Sequence, residues 1–512
     1  MLNRNRLRRA GLALFAASVF VADGASADSS ASSPVVLSVT VNTAEVNGFD
    51  RVHVKRLPPP GKTSGLFSDD DFQLSYVDGQ VGRDTRFLIG FMPPGEYRFV
   101  SFHSGTKELK VGEKNLLGTF TVSGGHPVDL GRLILTPVNS KVLIGRFARA
   151  PTNVDLLRRH TPGVLKRFTT PAANGWTGPV DGAPELEKYA LANPYGAQCA
   201  SERADGTVVA ASRLGTVLMR SADGRWHAVQ GPGLESVLCV LPVDLPDTEL
   251  VAVGELGTFL RKPRGVEQLQ PIDPGNLPPG NLLRIAGSPA SGWFVVSKTG
   301  ENMVSLYRSA KLDAGDWQLV LSEPERDQAG RDKEPMFTWQ TESGLGYSSA
   351  KGPMHVFEHA TGKWSERALP PGYNRLMHMA VGTKGQLNAQ IANSSWVIVI
   401  EESMVSHDLG ASWTKRKVPV RIPPQPVVEL HDGTMWTTLN NQIITSSDNG
   451  ATWPVNGQHN GETVLPLRSG VLLKFDYPRY GLFSIKASAD QGKGWKTEYS
   501  NFNLAAYQSD KK

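Results

Sequence analysis

Cysteine is nearly absent from this chain: Cys199 and Cys239 are the only two among 512 residues. Long apolar runs are absent too. The stretch from Ala10 to Ala22 has about 13 residues where a bilayer-crossing helix needs about 20, so no membrane span is expected. Charge of one sign is also scarce. The formal balance is +5, but the first 27 residues hold four arginines against one aspartate, and without them it is +2, which excludes the clustered basic footprint of a nucleic-acid binder. Common catalytic signatures are missing: there is no Gly-x-Ser-x-Gly elbow, no phosphate loop and no His-Glu-x-x-His. His378 and His431 stand alone, without the paired spacing of a zinc site, and SDDD from Ser68 to Asp71 lacks the alternating ligand order of a calcium loop. No metal or cofactor is therefore expected.

What is present begins with MLNRNRLRR, a short apolar core and the small residues Ala25-Ser26-Ala27, the layout of a secretory signal over residues 1–27. Export to the periplasm or beyond is expected, and no cysteine near the cut site invites a lipid. The 52 glycines and 35 prolines favour many turns over long helices.

From Pro34 to Ile144 the chain runs in short alternating stretches, among them VVLSVTV, DRVHVKRL, TRFLIGF, EYRFVSF and GRLILTPV, divided by Gly, Pro and Asp. These read as the strands of a β-sandwich over residues 34–144. Pro94-Gly95 supplies a preset φ and a residue free to take positive φ, so a type II hairpin turn is expected there. This strand-PPGEY-strand pattern resembles the prealbumin-like and carboxypeptidase-regulatory-like modules. TNVDLLRRH, from Thr152 to His160, carries an N-cap, an early acid and late arginines, which predicts one short helix. Residues 145–194 otherwise read as linker, with a closing strand for the following domain as the alternative.

Beyond Tyr195 the chain repeats. AASRLGTVLMR, from Ala210, and AVGELGTFLRK, from Ala252, align without gaps at an offset of 42, and tryptophans after polar turns stand at 226, 317, 364, 413, 453 and 495. The double gap after Trp226 is filled by a unit that lacks its tryptophan. Seven units of four short strands follow, which predicts a seven-bladed β-propeller over residues 195–503, with 504–512 a polar tail. The fold class is thus all-β, an N-terminal β-sandwich followed by a seven-bladed β-propeller. Cys199 and Cys239 lie 40 residues apart, almost one period, so they either form a disulfide between the first two blades or remain two buried thiols.

The stretches SHDLGASW (Ser406 to Trp413) and SSDNGATW (Ser446 to Trp453) hold Ser406, Asp408, Gly410, Trp413 and Ser446, Asp448, Gly450, Trp453 in one pattern. A third, SADQGKGW, repeats it at Ser488, Asp490, Gly492 and Trp495, with Gly494 where the hydroxyl residue would stand. SADGRW, ending at Trp226 and holding Asp223, is a shortened copy. In a tight turn an aspartate accepts hydrogen bonds from nearby backbone N–H groups, a glycine takes positive φ, and an indole starting the next strand buries a large area. All three roles are architectural, and three identical sets cannot each be the one active site.

The pattern matches the Asp-box and resembles the BNR-repeat propellers of the sialidase superfamily, while the blade segment from Leu214 to Gly224 is similar to Ycf48-like assembly factors. The sialidase resemblance implies arginines that grip a carboxylate and an activated tyrosine. Arg421, in an Arg-Ile-Pro that falls too late in the chain for the family's motif, and Tyr477, in FDYPRYG, are its candidates. Fold transfers through such a resemblance and activity does not. The reading is therefore an exported, non-catalytic binding or scaffold protein that recognises a protein or glycan partner through the propeller face. A sialidase-like glycoside hydrolase and a Ycf48-like assembly factor for a membrane complex are the alternatives.

Overall fold

The computed structural model describes residues 32–501 apart from 44–48, 62–69, 77–81, 112–116, 139–140, 148–151, 162, 164–171, 178–182, 300–302, 326–335, 373–374, 395–398, 419–426, 440–441, 459–463 and 478–481. The expected signal over residues 1–27 and the expected polar tail over residues 504–512 lie outside the described residues. Among them no helix is long and apolar enough to cross a membrane.

The N-terminal strands form one continuous sheet curled round a single core. Its path runs Ala173–Asn174, Val128–Val138, Ser33–Val41, Thr85–Met92, Asp71–Tyr76, Arg51–Arg56, Gly95–Ser104, Thr119–Val122 and Trp176–Thr177. Both ends of that path belong to the same five residues, 173–177, so this segment closes the sheet on itself. Gly175 makes the closure sterically workable, because a Cβ there would stand 2.4 Å from Val128 Cγ1. Trp176 then enters the core, stacks on Phe99 at 5.5 Å and donates from Nε1 to the Leu130 carbonyl at 2.7 Å. Alternation supplies most of the core: Tyr97, Phe99 and Phe120 point inward between outward neighbours, and a register shift after Phe99 turns Phe102 inward as well, beside the buried Ser101.

The Pro94-Gly95 expectation fails in an instructive way. The strands on either side of it are not paired; two other strands lie between them in the sheet. The turn is an arch from one side of the curled sheet to the other, and glycine is needed because a Cβ at Gly95 would meet Arg56 Nε at 2.5 Å.

Segment 145–194 is more than a linker with one helix. It holds α1 (Asn153–His160), the closing strand pair and α2 (Ala183–Ala192). Thr152 caps α1 by accepting from Asp155 N, and Leu156 and Leu157 are buried. The pattern of AANGWTGP is too short for a period, and its strands have two residues each, so sequence alone did not reveal that it closes the domain before it.

Seven four-stranded antiparallel sheets follow at residues 198–230, 237–271, 281–324, 336–367, 375–415, 428–458 and 464–500, which we number as blades 1 to 7. Strand order in each sheet is sequence order, so every blade is one continuous segment and none borrows a strand. The blades are held together by apolar seams: Val217 and Val240 between blades 1 and 2, Phe259 and Trp317 between 2 and 3, Phe294 and Phe357 between 3 and 4, Trp339 and Leu376 between 4 and 5. Between blades 5 and 6, Arg416 and Lys384 converge on Glu429 at 3.1 and 3.4 Å.

The ring closes by side-chain packing. Tyr195, Val208 and Leu218 share a cluster with Phe475, Phe483 and Ile485 of blade 7. At its edge Glu498 of blade 7 takes a bidentate pair from Arg220 of blade 1, at 2.7 and 2.8 Å, and a third bond from Trp226 Nε1 at 3.2 Å. Both charged side chains are nearly buried, and the pairing raises the Arg220 pKa above its ordinary value. Glu498→Ala leaves that guanidinium buried without its anion and is expected to cost about 3 to 5 kcal/mol, read as a lowered urea midpoint. Reduction of the Cys199–Cys239 bond, which joins the innermost strands of blades 1 and 2 with Cα atoms 4.9 Å apart, is expected to cost on the order of 4 kcal/mol in the same assay.

Candidate functional site

The two full aspartate turns and the third, which lacks one hydroxyl, connect the third and fourth strands of blades 5, 6 and 7. In blade 5, Asp408 Oδ1 accepts from Ser406 Oγ at 2.7 Å and Ser412 N at 2.8 Å, while Oδ2 accepts from Ser412 Oγ at 2.6 Å. Blade 6 repeats this: Asp448 takes Ser446 Oγ at 2.7 Å, Thr452 N at 2.9 Å and Thr452 Oγ1 at 2.6 Å. In blade 7 Asp490 takes Ser488 Oγ at 2.7 Å and Gly494 N at 2.9 Å, and the missing hydroxyl at position 494 removes the third bond. The shortened turn gives Asp223 Ser221 Oγ at 2.6 Å and Arg225 N at 3.2 Å.

These donors favour the ionised carboxylate. For Asp408 they outweigh an opposing burial penalty and hold it at about 2; for Asp448 the Thr452 hydroxyl and N–H, then Ser446, hold it at about 2. The Gly494 N–H and Ser488 lower Asp490, and Ser221 and Arg225 lower Asp223. Carboxylates held this firmly ionised are poor proton donors near neutral pH.

Each turn also grips the preceding blade. Leu409, Asn449 and Gln491 take φ of 56°, 56° and 59°, followed by Gly410, Gly450 and Gly492, also left-handed. A Cβ on Gly410 would stand 2.3 Å from Met354 Cε of blade 4, one on Gly450 2.4 Å from the Lys417 carbonyl oxygen, and one on Gly492 2.5 Å from Ile443 Cδ1 of blade 6. The indoles complete the grip. Trp413 packs on the blade 4–5 cluster and Trp495 on the blade 6–7 cluster, Trp226 lies in the closing seam, and Trp453 donates from Nε1 to the Gly450 carbonyl at 3.2 Å.

Strand direction then sorts the two faces. The aspartate turns and the first-to-second strand turns open on one face. On that face Arg468 of blade 7 reaches Glu342 of blade 4 at 3.1 Å, and since these blades are not neighbours the pair spans the axis. The second-to-third turns and the blade-to-blade connections open on the other face, and the N-terminal sheet docks there. Leu256 of blade 2 inserts between Val36, Phe87, Leu156 and Leu157, and Leu214 and Leu234 meet Ile134, Phe147, Ala190 and Leu191. Arg213 pairs with Asp84 at 2.9 Å and Arg132 with Glu235 at 2.8 Å, all four nearly buried. Asn42 Oδ1 accepts from Tyr195 N at 2.8 Å.

Beside this joint the innermost strands open to the same face. Arg83 of the N-terminal sheet donates to Gln198 of blade 1 at 3.1 Å. The first strands of blades 1, 2, 3 and 5 each carry a bulge against the second strand, and Arg284 and His378 follow it in blades 3 and 5. Bulges re-aim the side chains next to them. Burial, then the charge of Arg284, lowers the His378 pKa, and its Nδ1 is buried without a hydrogen-bond partner.

Of the residues singled out for sialidase chemistry, Arg421 lies outside the described residues. Tyr477 sits in the blade 7–1 seam, its ring against Tyr195 and Phe483 at 5.8 and 5.1 Å and its hydroxyl donating to the Ala197 carbonyl at 3.3 Å. His431 is exposed on a turn of blade 6, and among the described residues no three His, Cys, Asp or Glu side chains gather as a metal site. The residues of the joint were missed. Their one sequence signal is the Leu-Gly-Thr repeat at offset 42, which reads as strand periodicity although Leu214 and Leu256 are turn residues with φ of 56° and 50°.

No protein-family model matches the chain, and no curated protein does. Solved structures similar to it include virginiamycin B lyase from Staphylococcus aureus (15% identity over 59% of this chain and 93% of that one, TM-score 0.36). A GH74 xyloglucanase from Xanthomonas campestris is similar at 15% identity over 60% of this chain and 53% of that one, TM-score 0.40. YCF48 bound to D1 peptide is similar at 12% identity over 59% of this chain and 86% of that one, TM-score 0.35.

If the turn glycines serve seam contact, their substitutions rank by what the new Cβ meets. Gly450→Ala presses on a backbone carbonyl and is expected to cost about 2 kcal/mol or more. Gly410→Ala meets only the tip of a methionine and is expected to cost less. Urea denaturation of both variants checks the order.

Proposed function

We propose that this chain is an exported binding or scaffold protein that takes a protein or glycan partner on the face where the N-terminal sheet docks. One observation carries the reading: that face is the joint of two domains, fixed by buried ion pairs at Arg213–Asp84 and Arg132–Glu235, with Arg83 and the first strand of blade 1 beside it. Ligand sites occur preferentially at joints between domains. The aspartate turns, which we read as Asp-boxes, supply stitching on the opposite face and take no part in recognition.

Residues 1–27 act in this reading as a cleaved signal. Expressed in a bacterium with the full leader, the protein is expected in the exported fraction with its mature N-terminus at Asp28, which intact mass measures. Incubation with sialosides and a panel of aryl glycosides is expected to give no turnover. Hydrolysis that disappears in Tyr477→Phe or Arg421→Ala would overturn the binding reading in favour of the sialidase-like one.

A further inference from the structure

The joint between the N-terminal sheet and the propeller contains more buried acid than buried base. Glu255, fully buried in the second-to-third turn of blade 2, reaches into the sheet: its Oε1 accepts from the backbone N–H groups of Arg83 and of Asp84, the latter at 2.5 Å, and its Oε2 accepts from Ser236 N at 3.3 Å. Asp84 is 3% exposed; its Oδ1 pairs with Arg213, and its Oδ2 is buried with no hydrogen-bond partner. The charged and titratable groups around this pair are Arg83 and Asp84 from the sheet edge, Arg132 from strand Val128–Val138, Arg213 from blade 1, Glu235 from the connection to blade 2, and His160 from the end of α1. Two buried guanidiniums, Arg132 and Arg213, therefore face three buried carboxyl groups, Asp84, Glu235 and Glu255. His160 does not make up the difference, since its ring is buried and burial disfavours the imidazolium more than the nearby Leu256 backbone and Glu235 favour it.

We propose that the joint holds one resident proton on the Glu255–Asp84 pair, and that losing it loosens the N-terminal sheet from the propeller and uncovers the turns of blades 1 and 2. An unpaired carboxylate beside a second one, in a site closed to water, is resolved by keeping one of the two protonated. The Asp84 carboxylate keeps one buried oxygen, Oδ2, with no donor to stabilise its charge. Burial, then the Asp84 charge, pushes Glu255 up from 4.5 to about 8 against the pull of its three backbone donors. Burial pushes His160 down from 6.5 to about 4, with the Leu256 backbone and then the charge of Glu235 opposing.

The signs give the docked state two limbs. A carboxyl with a raised pKa contributes stability that is complete below its ordinary value and is lost as pH rises through the raised one, here between about 4.5 and 8. A histidine with a lowered pKa contributes stability that is complete above its ordinary value and is lost as pH falls through the lowered one, here between 6.5 and about 4.

The test follows the full chain from pH 5 to 9.5 by thermal unfolding and by small-angle scattering. The wild type is expected to lose several degrees of midpoint as pH rises from 5 to about 8, and to gain radius of gyration as the pair gives up its proton around pH 8. Glu255→Gln keeps the shape and cannot take a charge, at the loss of the long contact from Ser236, so it is expected to flatten the alkaline limb and stay compact. Should Glu255→Gln fail to fold, Asp84→Asn relieves the same pair and is expected to flatten the same limb. His160→Gln is expected to flatten only the acid limb. An alkaline expansion unchanged in both carboxyl variants would overturn the proposal, as would a wild type whose midpoint and radius do not change above pH 7.

Discussion

A propeller blade is a small twisted sheet with two apolar faces, and it is stable only while a neighbour covers each of them. The whole ring depends on that constraint at one seam above the others, between blade 7 and blade 1, where chain continuity gives no help. Many rings solve this by lending a strand across the gap. Here every blade keeps its own four strands, and the gap is closed by a buried aromatic cluster with the Arg220–Glu498 pair and the Trp226 indole at its edge. An Arg–carboxylate pair in such a place contributes geometric definition more than net stability. The stability comes from Phe475, Phe483 and Tyr195 beneath it, and Tyr477 belongs to the same seam.

The aspartate turns solve the same problem locally. A tight connection between the third and fourth strands leaves backbone N–H groups pointing outward; in blade 5 the carboxylate takes one of them together with two hydroxyls, and the Ser406 hydroxyl takes two more. That fixes the turn without a partner from elsewhere, which frees the glycine to press against the previous blade and the indole to cover the seam. The sequence pattern repeats because the mechanical requirement repeats. The polar groups of each turn are spent on one another.

The number of blades was legible because these turns place Asp, Gly and Trp at fixed offsets, and the offsets survive in degraded copies such as Ser221 to Trp226. The closure of the N-terminal sheet was not. Strands of two residues, one parallel and one antiparallel, leave no alternation to detect, and Pro94-Gly95 offered a hairpin signature to a turn that is an arch. The joint was invisible for a different reason. Arg132 and Glu235, or Asp84 and Arg213, lie more than 100 residues apart, and an ion pair between distant residues has no signature in either segment.

One backbone device links the two faces. A residue at positive φ followed by a glycine occurs at Leu409, Asn449 and Gln491 in the aspartate turns, and again at Leu214 and Leu256 in the turns of the opposite face. In each case the left-handed residue lies outside the pleat of its own blade, so its side chain is free to serve a neighbour. Leu409 packs against the blade 4–5 cluster, whereas Leu214 and Leu256 enter the N-terminal sheet, and the exposed Asn449 is polar. A strained conformation in a leucine persists only where the surroundings repay it. Two strained leucines one blade period apart, both buried in the same joint, therefore indicate that the docking of the two domains is a built feature of the fold, on which any function of that face must rest.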